Sequence, residues 1–78
     1  MIDEWNSLDL TSIELAKIIK KLGFEFIRQR GSHMFFEHRD GRTTVIPNHP
    51  NEEIGIGLLT KIIKKDLQLS REEFEKLI

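Results

Sequence analysis

Three histidines, His33, His38 and His49, are the side chains of this 78-residue sequence best suited to moving a proton near neutral pH. Imidazole titrates between about pH 5 and 8, so one such group can accept a proton and later return it. Cleavage of RNA by its own 2′-hydroxyl needs that service. His33 stands out because it lies among Arg28, Arg30 and Ser32. An arginine beside it would stabilise the charge that builds on a five-coordinate phosphorus. The competing reading is a strand histidine that makes one structural hydrogen bond. His38 borders a hairpin turn, which predicts a solvated ring. His49, between Asn48 and Pro50, either shapes a loop or touches substrate. The histidine separations of five and eleven residues match no zinc-ligand spacing, and no carboxylate cluster accompanies them, so neither a metal nor another cofactor is expected. The absence of Cys excludes a disulfide framework, a thiolate zinc site and a cysteine nucleophile.

These residues need elements to hold them. Thr11 and Glu14 have capping-box spacing, with Leu10 placed to staple onto Leu15. Leu15, Ile18, Ile19 and Leu22 then form the stripe of an amphipathic helix, with Lys17, Lys20 and Lys21 on or near its wet side and Gly23 as its stop. The period then changes. Residues 24–30, 32–38 and 42–47 are three aromatic and β-branched runs, which predicts an antiparallel meander turning at Gly31 and at Asp40-Gly41 and ending at Pro47. Ile54-Gly55-Ile56-Gly57 reads as entry to a second helix rather than as a phosphate loop. That helix carries Leu58, Leu59, Ile62 and Ile63 and closes on Lys64-Lys65. A third helix starts at Ser70, capped by Glu73, and packs Phe74 and Leu77. The expected fold class is α+β, an α-β-β-β-α arrangement with helices on one face of a three-stranded antiparallel sheet. Double-stranded-RNA-binding domains share this layout.

Two-residue turns would set the register of that sheet. They would place Arg28 opposite His33 and His33 opposite Asn48, one lateral row of cation, base and amide. A longer turn would slide the row by a residue and flip its face.

Length and charge bound what such a site could be. A chain this short supports one small core and a shallow site, not two lobes. Residues 1–10 are read as an acidic leader and residues 11–78 as the domain, with Ile2 and Trp5 either covering part of the core, the preferred reading, or contacting a partner. The N-terminus is acidic where a signal peptide would be basic, and no apolar run would span a bilayer, so a cytoplasmic protein without membrane attachment is expected. The net charge of −1 argues against a nucleic-acid partner only if charge is evenly spread. It is not: residues 1–15 carry about −4, residues 16–65 about +5 and residues 66–78 about −2. If the acidic ends lie away from His33, the protein is expected to bind RNA weakly but measurably, and trimming residues 1–8 to tighten that binding at low salt.

The run Arg28-Gln29-Arg30-Gly31-Ser32-His33-Met34-Phe35-Phe36 resembles the HicA family of toxin mRNA interferases, also grouped with YcfA-like proteins. The resemblance extends through the opening helix, Gly23-Phe24-Glu25-Phe26-Ile27, Asp40-Gly41-Arg42, Val45-Ile46-Pro47 with His49 after it, Gly57-Leu58-Leu59 and Leu69-Ser70-Arg71-Glu72-Glu73-Phe74. It implies an endoribonuclease that cleaves mRNA and arrests translation, with His33 at the catalytic position, and a HicB-type antitoxin that covers the catalytic surface. Two positions depart from the family pattern. Met34 stands where a second histidine is common and is expected in the core, and Ser12-Ile13 replaces the usual Gly-Lys of the first helix.

Together these readings give His33 as the catalytic residue, Arg28, Arg30, Ser32, Asn48 and His49 as substrate-binding residues, mRNA as substrate and a HicB-type antitoxin as partner. The alternatives are a module of the same fold that grips RNA without cutting it, and a protein retained only for its interaction with the antitoxin.

Overall fold

The computed structural model describes residues 10–49 and 52–78. Residues 1–9 of the expected leader, Ile2 and Trp5 among them, lie outside the described residues, as do Pro50 and Asn51. Helix α1 (Ser12–Lys21) begins on the expected capping box. The Thr11 backbone N–H donates to Glu14 Oε1 at 2.9 Å, and the Glu14 N–H donates to Thr11 Oγ1 at 3.2 Å. Leu15, Ala16, Ile18 and Ile19 are buried, while Lys17, Lys20 and Lys21 face solvent, as the stripe predicted.

Three strands follow, β1 (Phe24–Arg30), β2 (His33–His38) and β3 (Thr43–Pro47), in the order β1-β2-β3 and antiparallel throughout. The chain then forms α2 (Ile56–Lys61), which runs directly into one π-helical turn, Ile62–Asp66, closed by the Leu67 N–H on the Ile62 carbonyl at 2.8 Å. The wider turn lets Ile62, Ile63 and Leu67 all face inward. It also brings Asp66 to the buried Thr44 hydroxyl, which donates to its Oδ2 at 2.8 Å. Helix α3 (Arg71–Glu75) starts on a second capping box, Ser70 with Glu73, and buries Phe74.

The helices cover one face of the sheet. Met34, Phe36, Thr44 and Ile46 point to them, and with Leu15, Ile19, Phe24, Leu59, Ile62, Ile63, Leu67 and Phe74 they make one core. Met34 is a core residue, as expected. The other sheet face has no covering element among the described residues.

Both turns differ from the two-residue geometry expected at Arg30-Gly31 and Asp40-Gly41. The first turn is Gly31-Ser32, so Arg30 faces His33, and a bulge at Ile27 then brings Arg28 opposite Phe35. The second holds three residues, Arg39-Asp40-Gly41, with Gly41 at φ +99°, so Pro47 rather than Asn48 faces His33. Asp40 fixes this turn by accepting from the Arg42 backbone N–H at 3.0 Å and from Arg42 Nε at 2.8 Å. The backbone hydrogen bond is the main reason its carboxyl is held below the usual range. Arg42 in turn donates to the Leu67 carbonyl and lies 5.2 Å from the centre of the Phe24 ring, tying the hairpin to the helical layer.

His38 is not solvated; its side chain is 17% exposed. Its Nδ1 lies 3.1 Å from both the Asp40 backbone nitrogen and Asp40 Oδ1, and its Nε2 donates to the Leu22 carbonyl at 3.0 Å. The ring also packs edge-on against Phe24. This clamp explains Gly23. The residue sits at φ +103°, and a Cβ there would lie 2.9 Å from His38 Nε2. Gly23→Ala is expected to destabilise the protein by about 1–3 kcal/mol, from the left-handed backbone and the displaced ring. Urea denaturation measures it, and an unchanged midpoint would refute the account.

The caps add a pH dependence. Hydrogen bonds from the Thr11 and Ser70 backbone N–H groups, then from their hydroxyls, hold the Glu14 and Glu73 carboxyls below their ordinary value. Their contribution to stability is thus complete above the unfolded carboxylate range, about pH 4.3, and is lost as pH falls through the lowered folded values. The melting temperature of Glu14→Gln, which resembles the protonated carboxyl at every pH, should therefore approach that of the parent chain as pH drops below that range. A gap that stays constant into strong acid would contradict this.

Candidate functional site

The sheet face left uncovered among the described residues carries the candidate residues. Alternation along β2 sends His33, Phe35 and Glu37 to this face and Met34, Phe36 and His38 to the core. On β3 it sends Thr43, Val45 and Pro47 outward. In β1 the extra residue at Ile27 decides the outcome. Phe26 pairs with core-facing Phe36 and Arg28 with outward Phe35, two positions apart in sequence yet on opposite faces. The bulge thereby places Arg28 and Arg30 on the side that carries His33.

The resulting rows are Arg30–His33–Pro47 and Arg28–Phe35–Val45. Directly opposed residues lie about 4.5–5.5 Å apart at Cα, so the Arg30 and Pro47 backbones flank His33 closely. His33, Arg28 and Arg30 are exposed. The Arg28 guanidinium lies 4.9 Å from the centre of the Phe35 ring, which fixes a cation two residues along the strand from His33. At the far end of the face Glu25 opposes Glu37. The face is therefore cationic around His33 and anionic at the opposite end. A hollow of about 360 Å³ between them is walled by Ile27, Phe35 and Val45.

The remaining candidates lie around the end of this row. Ser32 is half-buried in the first turn, and its carbonyl accepts from the Asn48 N–H. The Asn48 side chain does not join the His33 row; its Nδ2 donates to Gln29 Oε1 at 3.2 Å. Gln29 Nε2 in turn donates to the Gly31 carbonyl at 2.9 Å. Gln29 thus ties the turn before His33 to the chain after β3, a positioning role that sequence reasoning missed. Nothing local marks it, because its partner Asn48 is 19 residues away and meets it only in the folded register. His49 is exposed just beyond Pro47 and lines a separate cleft there. Among the described residues no group of three or more His, Cys, Asp or Glu gathers to hold a metal ion, and no helix is long and apolar enough to cross a membrane.

The chain is a small α+β protein, a helix-backed three-stranded meander whose candidate site is an exposed histidine between Arg30 and Pro47 on a face that no described element covers. A family model described as the HicA toxin of bacterial toxin-antitoxin systems matches residues 13–69, which span α1 after its first residue, the whole sheet, α2 and its π turn. The probable mRNA interferase HicA of Pseudomonas fluorescens (strain Pf0-1) is 38% identical over 52 residues, covering 67% of this chain and 85% of that protein. The chain belongs to the HicA toxin family.

Proposed function

We propose that this protein is a metal-independent endoribonuclease that cleaves mRNA in the cytoplasm, with His33 as its catalytic residue and a HicB-type antitoxin as its partner. The observation that carries the proposal is the exposed His33 on an uncovered face, with Arg30 directly across the ladder and Arg28 fixed on Phe35 along the strand. Support for the substrate comes from the similarity to the probable mRNA interferase of Pseudomonas fluorescens, and support for an antitoxin from the family.

In this mechanism His33 takes the proton of a ribose 2′-hydroxyl as its oxygen attacks the adjacent phosphorus. The bond from phosphorus to the 5′-oxygen breaks, and His33 returns its proton to that oxygen. The products are a 2′,3′-cyclic phosphate and a 5′-hydroxyl, with no water consumed. Arg28 and Arg30 hold the phosphate and offset the charge it gains in the transition state. Ser32, Asn48 and His49 contact the flanking nucleotides. Single strands are the substrate, because in-line attack needs a backbone freedom that an A-form duplex denies.

The purified chain, incubated with single-stranded RNA and excess EDTA, is expected to release fragments ending in 2′,3′-cyclic phosphate. A requirement for added divalent cations would overturn the metal-independent chemistry. Salt-sensitive RNA binding without fragments would favour the non-cutting module instead.

A further inference from the structure

We propose that the cleft beyond the end of β3 binds one base of the RNA, next to the scissile phosphate, and so sets the cleavage-site preference of this protein. The inference rests on the ribonuclease reading above and goes beyond it by naming a specificity pocket.

The cleft is lined by Ser12, Pro47, His49, Glu52, Glu53 and Leu58, among others. Its position comes from the register. Pro47 is both a wall of this cleft and the residue directly across the ladder from His33, so the cleft abuts the proposed reaction centre. Its volume of about 150 Å³ is below the roughly 300–1,000 Å³ of pockets that take larger ligands, leaving room for one ring system rather than a whole nucleotide.

The lining suits a base better than a phosphate. Pro47 and Leu58 offer apolar walls, and Leu58 is left 37% exposed although it stands in the helix-entry motif Gly57-Leu58-Leu59. The Ser12 hydroxyl is buried, with the residue 1% exposed, and has no hydrogen-bond partner among the described residues. Buried hydroxyls are rarely left in that state, and a base edge that displaces the lining around it would satisfy this one. Glu52 and Glu53 bring carboxylates to the same cleft, which repel a phosphate and accept from exocyclic amino groups. Cytosine, adenine and guanine carry such groups; uracil does not. The imidazole of His49 adds a flat face on which the base can lie.

The test uses the full chain and short RNAs with a single cleavable ribose, varying the base on each side of it. The expected result is slower cleavage with uracil than with an amino-bearing base at one flanking position, by about tenfold, the scale of one good contact to a base edge. In Leu58→Trp, which fills the cleft, that ratio should fall toward one, and Ser12→Ala should reduce it. Equal cleavage of all four bases by the parent chain would overturn the pocket while leaving the ribonuclease reading intact. Absence of any cleavage would instead defeat the ribonuclease reading. The pocket is then judged by NMR titration with an uncleavable all-2′-deoxy tetranucleotide. Shifts at Ser12, Gly55 and Leu58 that vanish in Leu58→Trp support it, and none at those residues overturns it.

Discussion

His33→Ala is expected to lower the rate of RNA cleavage by about 10²–10⁴-fold, the usual contribution of a positioned acid or base. The side chain is exposed at the start of β2, and no hydrogen bond or ion pair ties its ring to another described residue. Its removal should therefore cost the fold no more than about 0.5 kcal/mol, as for other surface positions without special roles. That separation makes the experiment decisive. Cleavage should collapse while the circular dichroism spectrum and the melting curve stay those of the parent chain. RNA binding should persist, because the proposed phosphate contacts are those of Arg28 and Arg30. Undiminished cleavage by a folded His33→Ala protein would remove His33 from the mechanism and return it to the role of a structural strand histidine.

Phe36→Ala is expected to destabilise the protein by about 3–5 kcal/mol, the range for truncating a buried aromatic side chain. Phe36 is 2% exposed in the central strand, and its ring meets Phe26 edge-on at 5.7 Å between centroids. A core this small rarely supplies more than about 3–5 kcal/mol in total, so the variant should be largely unfolded at room temperature. It would lose activity as well, but with lost secondary structure, the reverse of the His33 pattern. A urea midpoint close to that of the parent chain would show that the helical layer does not depend on this ring.

The sequence showed its elements because each is marked locally. Thr11 with Glu14 and Ser70 with Glu73 are complete capping signals within four residues, and both form as read. Alternation along β2 was enough to place Met34 in the core. The register was not legible. A turn of two residues and one of three look alike around Asp40-Gly41, yet the difference exchanges Asn48 for Pro47 opposite His33. His38 was misjudged for a related reason. Its place next to a turn suggests solvent, whereas its contacts with the Leu22 carbonyl and Phe24 come from a segment 14 to 16 residues earlier.

The sequence by itself determined the composition of the site: a histidine that can move a proton, arginines within a few residues of it, and a central basic stretch hidden within a net charge of −1. It also determined which segments become helix and strand, since caps, periodicity and glycines act over a single turn. Only the tertiary structure decided which side chains share a face. The bulge at Ile27 turns both arginines toward His33, and the three-residue turn moves Asn48 out of its row to hydrogen-bond with Gln29. The physical reason is that strand side chains alternate with period two. One extra residue in a bulge or turn reverses every face beyond it, and hydrogen bonds and packing between strands determine where that residue sits.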